Sequence, residues 1–104
     1  MLITTENDEI TLAFGYGHLH AYRFYADDLM DAVDLIRTTA LAIVRCQTVS
    51  FEILADERPL GGGFSAVHDL HRIGDHVGWS DRWRRINVRG WARETDRVIE
   101  RASA

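Results

Sequence analysis

Arginine and tryptophan side chains are concentrated near the C-terminal end of this 104-residue sequence, where they could bind an anionic partner. Five arginines recur there at every fourth position, and three tryptophans lie beside them. On an α-helix, a step of four residues turns by about 400°, so the arginines would form a slowly winding basic row. Guanidinium groups bind carboxylates and phosphates through paired hydrogen bonds, and indole rings stack on bases or pack at protein interfaces. The predicted partner-binding residues are Arg85, Arg89, Arg93, Trp83 and Trp91.

The charge of the chain is divided unevenly along its length. The net charge is −4, but residues 80–104 carry seven of the twelve arginines and only four of the sixteen acidic side chains. An acidic body and a basic end are complementary, so we expect a protein partner or a second copy of this chain, forming a homodimer. Nucleic acid is the alternative partner, although a net negative charge disfavours non-specific binding to phosphates. A third interpretation is a solvated face with weak ion pairs, such as Asp81 with Arg85.

Histidine is frequent, with five residues in the chain, and four of them occur as two close pairs. His18 and His20 are two residues apart, which places both on one face of a strand. His68 and His71 are three residues apart, which places both on one face of a helix. Imidazole nitrogen is a common ligand of tetrahedral zinc, so these four histidines are candidate metal ligands. The motif His-Glu-x-x-His and paired cysteines are missing, so hydrogen-bonded histidines without a cofactor are the main expectation.

A glycine-rich segment, Arg58-Pro59-Leu60-Gly61-Gly62-Gly63, stands between a predicted strand and a predicted helix. Backbone N–H groups at the start of a helix can bind an anion, although the Gly-Lys-Ser/Thr of a P-loop is missing. The pattern Arg-x-x-Gly-x-Gly resembles the pyrophosphate-binding loop of the GNAT acetyltransferases, and the resemblance is confined to this segment and its flanks. It implies acyl-CoA as the ligand and acyl transfer as the reaction, but the preceding elements depart from the order in that family. The other interpretation is a flexible turn.

The N-terminal part has the two-residue period of strands. Ile10, Leu12 and Phe14 alternate with smaller or polar residues, which predicts a half-buried strand. Glycines at 15 and 17 predict a hairpin turn, because glycine adopts the positive φ that tight turns require. The return strand is predicted over residues 19–25, and a short edge strand over residues 2–4.

A helical period follows. Apolar residues at spacings of four, three, four and three form one stripe, with Asp28 as the predicted N-cap and further aspartates in the first half. The stripe consists of Leu29, Val33, Ile36, Ala40 and Ile43. Beyond it, the pattern predicts a strand over residues 49–53, a loop over 56–63 and a short helix over 65–73. A second strand of a hairpin is the alternative to that short helix. The final prediction is a helix that runs through Trp83 to about Ala102, and two shorter helices separated at Gly90 are the alternative.

These elements predict one α+β domain over residues 1–104. We expect a small antiparallel sheet of three or four strands, packed by one long helix, together with the basic C-terminal helix. The longest apolar run is far shorter than a membrane span, so no membrane partner is expected. Cys46 is the only cysteine, which indicates a reducing compartment and predicts a cytoplasmic protein. The chain has no lysine, a bias that indicates a GC-rich bacterial genome.

The functional prediction combines the missing catalytic motifs with the abundance of arginine and tryptophan near the C-terminal end. Cys46 is predicted to be packed and inert, and the sequence contains no Gly-x-Ser-x-Gly elbow for a nucleophile. Arginine and tryptophan are enriched at the energetic centres of protein interfaces. We therefore expect a small non-enzymatic protein-binding module, of the regulator, inhibitor or immunity type. The alternatives are a nucleic-acid-binding protein and a small enzyme that uses histidine-bound metal or acyl-CoA.

Overall fold

The computed structural model describes residues 1–6, 9–22, 29–56, 58–75 and 82–101. These residues form an α+β fold with two antiparallel sheets. The N-terminal sheet has the strand order β1-β2-β3, and the C-terminal sheet has the order β5-β4-β6-β7. The strands are β1 (Leu2–Glu6), β2 (Glu9–Phe14), β3 (Gly17–Tyr22), β4 (Thr48–Ala55), β5 (Arg58–Ala66), β6 (Arg85–Arg89) and β7 (Arg97–Glu100). The helices are α1 (Leu29–Val44), a long 3₁₀ helix (Val67–Asp75) and a short 3₁₀ helix (Arg93–Thr95).

The N-terminal sheet follows the period that the sequence predicts. Strands β1 and β2 pair with Thr4 opposite Thr11, and β2 and β3 pair with Leu12 opposite Leu19. Gly15 in the hairpin turn has a φ of +56°, which confirms that the turn needs a glycine. The edge strand is longer than predicted, because it continues to Glu6. Residues 23–25 of the predicted return strand lie outside the described residues.

Helix α1 packs on the N-terminal sheet. Ala32, Ile36 and Ile43 are buried against Leu12 and Ala21, and together they form one hydrophobic core. The helix lies where the apolar stripe predicts one, and the predicted N-cap Asp28 lies outside the described residues. The sheet does not cover the whole stripe, however, because Val33 is 38% exposed whereas Ile36 is only 5% exposed. Part of the apolar surface of α1 is therefore left open.

Strand β4 is the centre of the C-terminal sheet and carries the second hydrophobic core. Val49, Phe51 and Ile53 alternate with Ser50 and Glu52, and the three apolar side chains are buried. They pack against two apolar side chains of the long 3₁₀ helix and two of β6, which are Leu70, Ile73, Ile86 and Val88. The long 3₁₀ helix thus covers one face of this sheet, and the predicted strand over residues 49–53 is confirmed.

The predicted glycine loop is wrong, because residues 61–63 belong to β5. Gly61, Gly62 and Gly63 lie opposite Ile53, Glu52 and Phe51 in the ladder with β4. A Cβ atom on Gly62 would lie 2.6 Å from the backbone oxygen of Phe51, so this register requires a residue without a side chain. The hairpin alternative is therefore confirmed for residues up to Ala66, and the helical turns begin at Val67 as a 3₁₀ helix.

The predicted basic C-terminal helix is also wrong, because this part of the chain is mostly strand. Strands β6 and β7 pair in an antiparallel ladder with Ile86 opposite Ile99, and the short 3₁₀ helix lies between them. A spacing of four fits a helix, but it is also twice the period of a strand. The arginines at 85 and 89 are thus on the outer face of β6, while Ile86 and Val88 alternate with them and are buried.

A buried serine joins the two sheets. Ser50 on β4 is fully buried, and its hydroxyl accepts a hydrogen bond from the backbone N–H of Tyr16 at 3.1 Å. The same hydroxyl donates to the backbone oxygen of Arg89 at 2.9 Å. The rings of Phe14 and Trp91 lie 5.9 Å apart beside this junction. The tip of the β2–β3 hairpin is therefore fixed to the end of β6.

The helices of the described residues are too short or too polar to span a membrane.

Candidate functional site

The predicted partner-binding residues do not form one surface. Arg85 and Arg89 share the outer face of β6, whereas Arg93 is exposed on the short 3₁₀ helix. Trp83 is half-buried at the edge of the second core, on the side of the sheet that faces the long 3₁₀ helix. Trp91 is exposed next to Phe14. The fourth-residue spacing therefore separates these side chains instead of aligning them, and Trp79 lies outside the described residues.

Carboxylates and amides interrupt the arginine-bearing face of β6. Glu100 lies directly opposite Arg85 in the ladder. The amide of Asn87, between the two arginines, donates a hydrogen bond of 3.0 Å to the Glu52 carboxylate on β4. The Nε of Arg85 is buried and has no hydrogen-bond partner among the residues that the structure describes. This face is therefore of mixed charge and does not present the continuous cationic surface that a phosphate backbone binds.

The two histidine pairs are placed on different elements. His18 and His20 lie on β3 with ring centroids 4.9 Å apart, and the Nδ1 of His20 is hydrogen-bonded to the Glu9 carboxylate and the Thr11 hydroxyl. His68 and His71 are exposed on the long 3₁₀ helix. Among the residues that the structure describes, no group of three or more histidine, cysteine or acidic side chains could hold a metal ion. The structure thus does not bring the two pairs together as a zinc site.

The candidate anion-binding loop is absent, because its residues form β5. Its backbone pairs with β4 over residues Arg58–Ala66, so the described segment has no strand–loop–helix arrangement to hold the pyrophosphate of acyl-CoA. Cys46 lies at the C-terminal end of α1, where its backbone N–H donates to the Ile43 oxygen at 3.0 Å. Its φ of +59° and partial burial describe a helix-terminating residue.

An apolar groove that the sequence patterns did not predict lies between β1 and α1. Its volume is about 450 Å³. The sheet contributes Ile3, Thr5 and Ile10 to its floor. The helix contributes one wall, which consists of Val33, Ile36, Arg37, Ala40, Leu41 and Val44. We call this feature the β1–α1 groove.

Several apolar side chains around the β1–α1 groove are exposed. All five residues of β1 are exposed, and Ile3 retains 50% of its accessible surface. Leu41 retains 44% and Val44 is similarly open. Contiguous apolar surface of this kind is typical of protein or ligand contact sites in soluble proteins. The signal in the sequence was the presence of apolar residues at 41 and 44, beyond the stripe that packs on the sheet.

The groove has almost no charge. Arg37 is the only charged residue among its described lining residues, and its guanidinium group donates a 2.9 Å hydrogen bond to the Asp34 carboxylate. A charged ligand would therefore lose its hydration without gaining an opposite charge inside the groove. The arrangement fits apolar side chains of a protein.

Neither a known protein family, nor a curated protein, nor a solved structure matches this chain.

Proposed function

We propose that this chain is a small non-enzymatic protein-binding module that functions as a homodimer through the β1–α1 groove. The observation that carries the proposal is the groove itself, a largely apolar surface that lies beside an exposed edge strand. A regulator, an inhibitor or an immunity-type factor could all use such a module, because each acts through protein contacts.

The accessible surface of the chain supports a partner of its own kind. The chain exposes 7211 Å², whereas a folded monomer of 11.9 kDa exposes roughly 5900 Å² on average. Each partner in a standard protein interface buries about 800 Å², which is less than this excess. The radius of gyration, 14.8 Å, also exceeds the value of about 13 Å for a compact domain of this length. Dimerisation would thus remove more than half of the excess exposed area.

The chemistry of the groove also favours a second copy. Interfaces of permanent homodimers are more apolar than those of transient complexes. The β1–α1 groove fits that class, because its one charged lining side chain among the described residues is already paired with Asp34. An acidic or basic partner protein would require unpaired charges of the opposite sign, which the groove does not offer.

The arginine-bearing face of β6 remains available in such a dimer. We propose that Arg85 and Arg89, with Arg93 nearby in sequence, serve contacts with an acidic protein instead of with nucleic acid. Glu52 and Glu100 lie among these arginines and would repel a phosphate backbone, while an irregular protein surface can avoid them.

Sedimentation velocity of the untagged protein over a range of concentrations tests the homodimer. Two leucines on α1 provide a matched pair of variants, because Leu41 lines the groove at 44% exposure whereas Leu35 is 48% exposed but does not line it. Leu41→Glu should raise the dimer dissociation constant at least about 30-fold, since a carboxylate would be buried in an apolar interface whose nearby cation, Arg37, already pairs with Asp34. Leu35→Glu should leave it within about threefold of the parent.

Circular dichroism of both variants controls for folding. A parent protein that stays monomeric at high concentration would refute the homodimer, and equal effects of the two substitutions would show that the groove is not the interface.

A further inference from the structure

We infer that the second copy docks through β1, whose free edge pairs with the same edge of its mate in an antiparallel ladder. This inference rests on the proposed homodimer and specifies its geometry. The pairing would join two three-stranded sheets into one continuous sheet of six strands. The partner is thus a second copy of this chain, which pairs through its own β1 edge.

The composition of the β1 edge supports this pairing. β1 is an outer strand of its sheet, so one side of its backbone pairs with β2 and the other side faces no strand in the described part of the chain. Its sequence is Leu-Ile-Thr-Thr-Glu, which contains no proline, glycine or basic residue. Residues of these types would protect an edge from pairing, and β-branched residues favour it. The edge therefore has the composition of a strand that pairs.

The proposed pairing has two-fold symmetry. An antiparallel ladder between identical strands is related by a two-fold axis, which is the commonest symmetry of homodimers. With the axis at Thr4, each Thr4 lies opposite its own copy and each Ile3 lies opposite the mate's Thr5. Opposite residues in an antiparallel ladder share one face of the sheet. Ile3 and Thr5, which line the groove, thus remain on the side of α1 in both copies.

The two-fold pairing of the β1 strands would also close the β1–α1 groove. Because Ile3 and Thr5 of both chains face one side, both copies of α1 would lie on that side of the joined sheet. The two β1–α1 grooves then become the two halves of one apolar chamber above the paired β1 strands. Leu41 and Val44, which are exposed in the single chain, would line the two walls of this chamber. One contact thus accounts for the free edge and for the open groove.

Disulfide cross-linking tests this geometry. In a Cys46→Ser background, Thr4→Cys would place two thiols opposite each other, and opposite Cα atoms in an antiparallel ladder are about 4.5–5.5 Å apart, within the range of a disulfide. On mild oxidation, Thr4→Cys should give at least about tenfold more covalent dimer than Thr38→Cys, which is exposed on α1 outside the groove. Non-reducing electrophoresis and intact mass measure the product.

Two further cysteine variants test the register of the paired β1 strands. Ile3→Cys and Thr5→Cys chains, both in the Cys46→Ser background, should cross-link efficiently only when they are mixed, because residue 3 of one chain faces residue 5 of the other. Equal cross-linking in the mixed and the separate samples would overturn the Thr4-centred pairing.

The outcomes separate this inference from the proposed function. If Cys46→Ser protein sediments as a dimer but Thr4→Cys cross-links no better than Thr38→Cys, the strand pairing is wrong and the homodimer stands. If Cys46→Ser and parent proteins are both monomeric, the homodimer and the strand pairing fail together. If cross-linking is efficient and Leu41→Glu also weakens the dimer, both proposals are supported.

Discussion

Strands β1 and β7 are each an outer strand of one of the two sheets, yet they differ in charge and in what lies beside them. β1 is uncharged from Leu2 to Thr5 and borders the apolar β1–α1 groove. β7 begins with Arg97 and ends with Glu100, and a cavity of about 430 Å³ next to it is lined by charged and polar side chains together with two valines. The chain then continues from Glu100 into Arg101, whose backbone N–H donates to the Arg84 oxygen at 2.9 Å.

The difference shows that two outer strands of one chain can differ in how well they are protected from pairing with another strand. Charged side chains on an edge strand discourage another strand from pairing with it, because pairing would remove water from the charges. β7 has charges at both ends over only four residues, so it is protected. β1 has five residues and a single charge at its end, so it is open to pairing.

The largest effect is expected from placing a charge on the open edge. Ile3→Lys should raise the dimer dissociation constant at least about 100-fold, which is about 2.7 kcal/mol, because the ammonium group would be buried without a partner. Val98→Lys is the matched substitution on β7, where the side chain is exposed, and it should change the constant by less than about threefold. Sedimentation velocity measures both. A larger effect at Val98 than at Ile3 would reverse the comparison of the two edges.

The next effect concerns the junction that holds the two sheets together. Ser50→Ala removes the buried hydroxyl that contacts the Tyr16 N–H and the Arg89 oxygen, so a backbone donor and a backbone acceptor at this part-buried junction lose their partners. We expect a loss of about 2 kcal/mol in the free energy of unfolding, in a single transition that involves both sheets. Urea denaturation at a fixed protein concentration measures it. Ser65→Ala is the control, because Ser65 is only part-buried and bonds to the neighbouring Ala66 oxygen, so its loss should be smaller.

Two transitions in the parent protein would contradict this view of the junction. They would show that the sheets, and with them the two edges, unfold independently.

The strands and the helix could be predicted where one face of an element is buried and the other is not. Leu12 on β2 and the alternating apolar residues of β4 follow a two-residue period because each strand directs these apolar side chains into one hydrophobic core. The spacing of four between the arginines does not distinguish a helix from a strand, because both return to about the same face after four residues. Gly61, Gly62 and Gly63 predict a turn by composition, but they lie in β5, where Gly62 allows a close approach to the Phe51 backbone of β4.

The groove could not be predicted from the sequence, because it depends on how far α1 extends over the sheet. Val33 and Ile36 belong to the same apolar stripe and are equivalent as residues of a helix. Their exposures differ because the sheet covers one and not the other. Likewise, the alternation of β1 does not show that its outer side lacks a partner. Both features arise from the tertiary arrangement, and both belong to the candidate site.

A smaller effect is expected when the protected edge is made to resemble the open one. The double substitution Arg97→Thr and Glu100→Thr removes both charges from β7 and leaves β-branched residues in their place. We expect self-association through this edge to strengthen about tenfold and to produce species larger than a dimer, because the deterrent charges are gone. Light scattering coupled to size exclusion measures the mass of these species. The matched control is Glu94→Thr, which removes a charge on the short 3₁₀ helix and should leave the mass unchanged.

The smallest effect is the response of the dimer to salt, and it distinguishes the two ways in which this chain could associate. If the acidic residues of 1–79 in one copy bound the arginines of 80–104 in the other, the dimer would weaken strongly as salt rose, because the screening length falls from about 10 Å at 0.1 M to about 3 Å at 1 M. The β1–α1 groove has one charged lining residue among those described, and Arg37 is paired with Asp34 within its own chain. We therefore expect the dissociation constant to change by less than about threefold over that range, since apolar burial is not screened.

Arg89→Ala at low salt provides the control, and it should leave the constant unchanged. A steep loss of affinity with salt, matched by a loss in Arg89→Ala, would move the interface from the uncharged β1 edge to the charged end of the chain.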